Sequence, residues 1–223
     1  MKQINSDFVS YILHGLRNGT SAIYAWSEML NKGFLESESE IEEAHEQIFM
    51  ECKKLNQSLS IISYYNYLYL SDFPLQKSEI TTNKFIKEIN NLLGKKNEKC
   101  IFTIPKPQKE AILNFDLNLI MTFSESFCAF LTNSAVESVE KIETSTNEFF
   151  FHIKITLNTH LNHTEIKHLL DNPLKDRAKS ITPVFILSLR ILWKICHKLE
   201  GKASFKQNET QTIASFFIPL AKS

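Results

Sequence analysis

Residues 13–23 read LHGLRNGTSAI, a histidine followed by two glycines in a stretch that otherwise has the spacing of an amphipathic helix. Each glycine costs a helix interior roughly 1 kcal/mol relative to alanine, so both must serve something other than helix stability. Across residues 8–30 the apolar side chains Phe8, Ile12, Leu16, Ile23, Trp26 and Leu30 recur at three- and four-residue steps, and Gly19 stands in the one gap of that stripe. Ile12 and Leu16 lie on the stripe, so His14, two residues from each, is turned to the opposite side, toward water. Ser10, Arg17, Asn18 and Ser21 fall three or four residues from His14 or from one another and share its face. A neutral imidazole carries a free nitrogen lone pair, a competent nucleophile toward an activated phosphoryl group. Arg17, one turn away, offers a planar guanidinium to phosphoryl oxygens or to an acidic partner loop. Gly15, Gly19, Ser21, Ala22 and Ala25 keep the surface low enough for another backbone to approach. The same pattern also fits a surface histidine on a dimeric hairpin whose glycines serve close helix packing.

The wider composition narrows the setting. The 223 residues are 43% hydrophobic, ample for a buried core. Basic and acidic side chains balance at 25 each, with no run of like charge, which points away from nucleic acid and membrane surfaces as partners. Cys52, Cys100, Cys128 and Cys196 lie far apart without a C-x-x-C pair, against both a zinc site and a secreted disulfide framework. No secretory leader pattern and no apolar run of roughly 18 residues is present, so a soluble, cytoplasmic protein is expected.

After a polar turn at residues 31–38, Ile41, Ile48, Leu55 and Ile62 are spaced seven apart, with His45, Cys52 and Leu59 at the complementary heptad positions. Two helices joined by a short loop form an antiparallel hairpin with half its apolar stripe uncovered, and a second copy would close a four-helix bundle, so a homodimer is expected. The character changes after Ser71-Asp72-Phe73-Pro74, which divides the chain into residues 1–72 and 73–223. In the second part residues 82–93 have helical spacing, 99–104 and 111–115 read as strands, and Asp116 caps a helix running to about Val139. Residues 148–157 (EFFFHIKITL) form the strongest strand, 158–182 are irregular, and a helix over 183–200 stops at Gly201 ahead of a hairpin of 202–207 and 212–220. The expected architecture is a helical hairpin followed by an α/β domain with helices on one face of a mixed sheet.

These residues carry a resemblance. The helix over 8–30 resembles the first helix of the dimerisation and histidine-phosphotransfer domain of two-component sensor kinases, whose H-E-L-R-[T/N]-P motif stands here as H-G-L-R-N-G, His14 to Gly19. The second part follows the order of the kinase ATP-binding domain: FLTNSAVES, with Asn133, resembles the N-box, and the run from FILSLRILWKICHKLEG to FFIPLA resembles the closing helix and hairpin. Two features depart from the family. The acidic residue after the histidine is Gly15, and no glycine occurs between residues 95 and 200, where the adenine and lid motifs belong. Nucleotide phosphates need backbone amides brought close by glycines, so this reads as a degenerate Bergerat-like domain.

Keeping the acceptor helix without the nucleotide site is similar to the dimeric histidine phosphotransferases, the ChpT-type proteins and the sporulation phosphotransferase of bacilli. The resemblance implies an ATP-independent relay through His14 between response-regulator receiver domains, with Ser10, Arg17, Asn18 and Ser21 as the docking surface. It implies no cofactor or metal bound by this chain, Mg2+ supplied by the receiver, and a hybrid sensor kinase as a further partner. Asn18 occupies the position that in kinases often supports dephosphorylation of the partner. The alternative is a non-catalytic, pseudokinase-like module that regulates a kinase or regulator. His160, His163 and His168 match no common zinc spacing. Cys196 and His197 are adjacent on a helix and diverge, His45 reads as a core or interface imidazole, and the glutamates at 36–43 suit a helix N-terminus. Tyr64, Tyr65, Tyr67 and Tyr69 are expected to pack the end of the hairpin on the second domain.

Overall fold

The structure is a computed structural model and describes residues 6–70, 74–96, 103–132, 139–158, 183–207 and 210–221, with side chains described for all of these except 6–12, 70, 95, 96, 183 and 207. The chain divides into two compact units, Met1–Ser63 and Tyr64–Ser223.

The first unit is a helical hairpin. Helix α1 spans Ser6–Asn31 and helix α2 spans Glu38–Leu70, running on past the division between the units. A left-handed residue, Gly33 at φ 66°, ends α1: the amide of Phe34 donates to Met29 O and that of Gly33 to Leu30 O, closing the last carbonyls. A reciprocal cap opens α2. Ser37 Oγ accepts from the Glu40 amide at 3.2 Å, while the Glu40 carboxylate accepts from the Ser37 amide at 3.0 Å and the Glu36 amide at 3.1 Å. Those backbone and side-chain bonds hold the Glu40 carboxyl below the usual range.

The second unit contains β1 (Lys77–Thr81), α3 (Thr82–Lys96), β2 (Ile112–Asp116), α4 (Asn118–Thr132), β3 (Val139–Thr146), β4 (Phe150–Leu157), α5 (Pro183–Lys198), β5 (Lys202–Gln207) and β6 (Thr212–Pro219). The strands form a two-stranded sheet β1-β2 and a four-stranded sheet β3-β4-β6-β5. Alternation decides the faces: Phe151, Ile153, Ile155 and Leu157 of β4 and Ala214, Phe216 and Ile218 of β6 point inward and are buried. They meet the helices through aromatic rings, Phe127 and Phe130 of α4 lying 6.3 Å from Phe216 and Phe85 of α3 lying 6.2 Å from Phe151. Asp116, buried at the end of β2, accepts from the Asn118 amide at 2.9 Å and so caps α4, as expected, while its other oxygen accepts from the Gln76 amide.

Several expectations need correction. Every strand pair among the described residues is antiparallel, so the sheet is not mixed. Thr103 and Ile104 belong to no strand. Instead, Asn90 of α3 brackets Ile104, its amide donating to the carbonyl at 3.0 Å and its oxygen accepting from the amide at 2.9 Å. Residues 99–102 lie outside the described residues. Helix α4 ends at Thr132, and Val139 already opens β3, a strand whose polar outer face hid it in the sequence. Strand β1 was hidden for the same reason. Gly201 is not the left-handed terminator of α5. Glu200 takes that role at φ 67°, and the Gly201 amide donates to Cys196 O at 2.8 Å. Gly201 is needed because a Cβ there would stand 2.1 Å from the carbonyl oxygen of Phe217.

Candidate phosphotransfer site

His14 stands exposed on α1, and Arg17, Asn18 and Ser21 are exposed beside it. Ser10 lies on the same helix, but its side chain is outside the described residues. The Asn18 side-chain nitrogen is 3.4 Å from Nε2 of His14. An amide NH2 can only donate, so this contact is a hydrogen bond in the tautomer with the lone pair on Nε2 and the ring hydrogen on Nδ1. Thr20 turns its hydroxyl back onto the helix, to Leu16 O at 3.2 Å and Arg17 O at 2.9 Å, and leaves the surface to its neighbours.

The opposite side of α1 explains one glycine. A Cβ on Gly19 would come within 2.9 Å of Leu55 Cδ2 and 3.6 Å of Glu51 Oε2, so α1 and α2 approach closely at Gly19. It serves helix packing, while Gly15 stays exposed beside His14. The heptad reading of α2 is resolved in a similar way. Ala44 is buried, and Ile48 and Leu55 are half-buried, facing the hairpin seam. His45 and Cys52 are exposed, with Ile41 and Leu59 at 38% and 50% exposure. Helical geometry places His45, Cys52 and Leu59 about a quarter turn from the seam of α2, and Leu13 and Tyr24 about a quarter turn from the seam of α1 in the mirrored sense. One flank of the hairpin is therefore apolar and open, and His14 lies on neither seam nor flank.

In the second unit, the end of α4 and the start of α5 are where the resemblance puts the neighbours of a nucleotide. There Phe130 and Phe185 stack at 5.0 Å, both buried. A closed apolar pair offers a phosphate no hydrogen-bond donor. Asn133 and the histidines at 160, 163 and 168 lie outside the described residues. Among the described residues no three His, Cys, Asp or Glu side chains converge as metal ligands, and no helix is long and apolar enough to cross a membrane.

The tyrosines at the end of α2 belong to the second unit. Tyr64 donates to Glu125 of α4 at 2.9 Å, and Tyr69 donates to Arg190 O of α5 at 3.3 Å. Tyr65 and Tyr69 stack at 4.3 Å with the Arg190 guanidinium 5.6 Å from each ring. Burial pushes the Tyr64 and Tyr69 hydroxyls up to about 12, so they stay neutral donors. On the same helix the Trp193 ring lies 4.0 Å from that of His197, tilted by 31°. Arg190 and Glu125 carry no motif, and only the clustered tyrosines signalled that something must receive them.

Histidine kinases are among the solved structures this chain is similar to. The histidine kinase AdeS of Acinetobacter baumannii aligns over 94% of this chain and 98% of its own, at a TM-score of 0.62 and 12% identity. The fold is that of a two-component histidine kinase. ThkA, solved in complex with the response regulator protein TrrA, aligns over 98% of this chain and 62% of its own, at a TM-score of 0.63 and 17% identity. Full-length ShkA, in complex with AMPPNP, aligns over 97% of this chain and 46% of its own, at a TM-score of 0.54 and 9% identity. No protein-family model and no curated protein matches the sequence.

Proposed function

We propose that the protein is a dimeric, ATP-independent histidine phosphotransferase that relays phosphoryl groups between receiver domains through His14. The observation that carries this reading is the placement of His14: on a histidine-kinase-like hairpin, exposed, with Nε2 beside the Asn18 side-chain amide. Nε2 attacks the phosphorus of an aspartyl phosphate on the first receiver. A phosphorus–nitrogen bond forms, the bond to the aspartate oxygen breaks, and the carboxylate leaves as the anion. The second receiver's aspartate reverses these events. Arg17 pairs with phosphoryl oxygens, the receiver brings the Mg2+, and the chemistry rests mostly on in-line positioning. That ThkA was solved with a response regulator supports receivers as the partner class, with a hybrid sensor kinase among their sources.

Two features favour relay over ATP-dependent kinase activity: no glycine between residues 95 and 200, and the Phe130–Phe185 stack at the end of α4. The open flank of Leu13, Tyr24, Ile41, Cys52 and Leu59 supports the dimer, since a second copy would bury it in a four-helix bundle. The second unit then serves as a scaffold. Purified protein incubated with labelled ATP alone, then with receivers already charged by a kinase, tests the proposal beside a His14→Gln variant. Acid-labile label that appears only with a charged receiver and vanishes in the variant is the expected result. Labelling by ATP alone would instead make the protein a kinase, and receiver binding without any label would make it a non-catalytic regulator.

A further inference from the structure

The two edges of the four-stranded sheet are finished differently. Edge β3 is bound to the segment that precedes β2: Thr144 Oγ1 donates to Pro105 O at 2.8 Å and Thr146 Oγ1 to Lys109 O at 3.0 Å. Edge β5 ends the sheet order with β6 as its only strand neighbour among the described residues. On the face turned away from the helices β5 presents Lys202, Ser204 and Lys206, with both lysines exposed. An unpaired edge offers a row of backbone donors and acceptors, which only another polypeptide can match in register. Lys202 and Lys206, four residues apart on one face of that edge with Ser204 between them, would face the outer two of three carboxylates at alternate positions of an added strand.

The surroundings argue against a nucleic acid on this face. The rings that could take a base are already used: His152 of β4 stacks on Phe217 of β6 at 4.2 Å and 7°, and Phe150 meets Phe217 edge-on at 6.2 Å under the Lys202 ammonium. Among the described residues of this face these are the rings a base would need, and each already has a ring partner. Further in, Lys141 and Lys154 share the Glu143 carboxylate, so among the described residues the lysines of this face that no carboxylate is shown to hold are Lys202 and Lys206 of β5.

We infer that β5 is a docking edge for an extended acidic protein segment with carboxylates at alternate positions, which adds as a fifth strand beside Lys202 and Lys206. The probe is a fluorescein-labelled peptide of the sequence LESESEI, the pattern this chain itself carries at residues 35–41, with binding to the full-length protein followed by anisotropy. Saturable binding should be weakened about tenfold or more in the Lys202→Glu/Lys206→Glu variant and left unchanged in Lys87→Glu on α3. It should also be lost when alternate peptide amides are methylated, although the charge is then the same. A thermal melt matching the parent shows that the double variant is folded. The inference is overturned if no binding saturates, if a peptide with its glutamates grouped together or the methylated peptide binds equally well, or if a dT12 oligonucleotide or phosphatidylserine vesicles compete for β5 more tightly than the peptide.

Discussion

At the residue scale, the Asn18 amide sits on Nε2 of His14, the nitrogen that attacks in the proposed relay, so under that proposal it has to leave before the transfer. An exposed hydrogen bond nets about 0.5–1.5 kcal/mol. Asn18→Ala should therefore take up phosphate from a charged receiver at least as fast as the parent, with a gain of no more than about tenfold. Slower uptake in a rapid-quench experiment would mean that the amide assists the reaction. A second histidine sets a pH response. Burial, and then Lys154, pull the His152 imidazole below its ordinary 6.5, with Glu143 opposing. Its Nε2 is buried without a hydrogen-bond partner among the described residues, and Lys141, Lys202 and Lys206 are further cations on that face. The folded state thus binds this proton less readily than the unfolded chain. Its contribution to stability is complete above about pH 6.5 and is lost as pH falls toward the lower folded value. Melting temperatures recorded from pH 7.5 to 5 should drop across that window and flatten in His152→Phe. The face of His14 was legible in the sequence because period alone fixes it. The environment of His152 was not, because it is created by β6, more than fifty residues further along the chain.

At the scale of elements, two glycines should respond in opposite ways. At Gly19 a methyl meets the far end of a flexible leucine side chain, while alanine gains roughly 1 kcal/mol of helix propensity. Gly19→Ala should be close to neutral in chemical denaturation, and Gly19→Val, pressing a branched side chain on Leu55 and Glu51, should cost about 1–3 kcal/mol. At Gly201 the obstacle is a backbone carbonyl at 2.1 Å that cannot step aside, so even Gly201→Ala should destabilise the second unit, by 1–3 kcal/mol or more. Equal effects at the two sites would mean that the tight contact at Gly201 relaxes. Both helices of the hairpin could be read from their spacing. The strands β1 and β3 could not, since they alternate polar residues on a solvent-facing sheet. Gly201 was recognised as a stop signal for the right helix but for the wrong reason, because the carbonyl of Phe217 is invisible in a local window.

At the scale of the whole molecule, the proposed dimer places Cys52 of one hairpin beside the same flank of the other. Mild oxidation should give a crosslinked dimer that Cys52→Ser abolishes, and Leu59→Lys should shift light scattering toward the monomer mass. A monomeric parent at tens of micromolar would remove the bundle from the proposal. The overall order of hairpin and sheet domain could be anticipated from the sequence because it follows the kinase pattern over nearly the whole chain. The departures from that pattern rest on missing glycines that only the chemistry of phosphate binding makes conspicuous. The Trp193–His197 ring pair has a practical use as well. The chain holds two tryptophans, Trp26 in the hairpin and Trp193 in the sheet domain. Replacing either by phenylalanine leaves an intrinsic fluorophore in a single unit, and in Trp26→Phe the emission that remains, from the indole against His197, reports the sheet domain alone. Fluorescence could then follow the melting of each half separately in the intact chain.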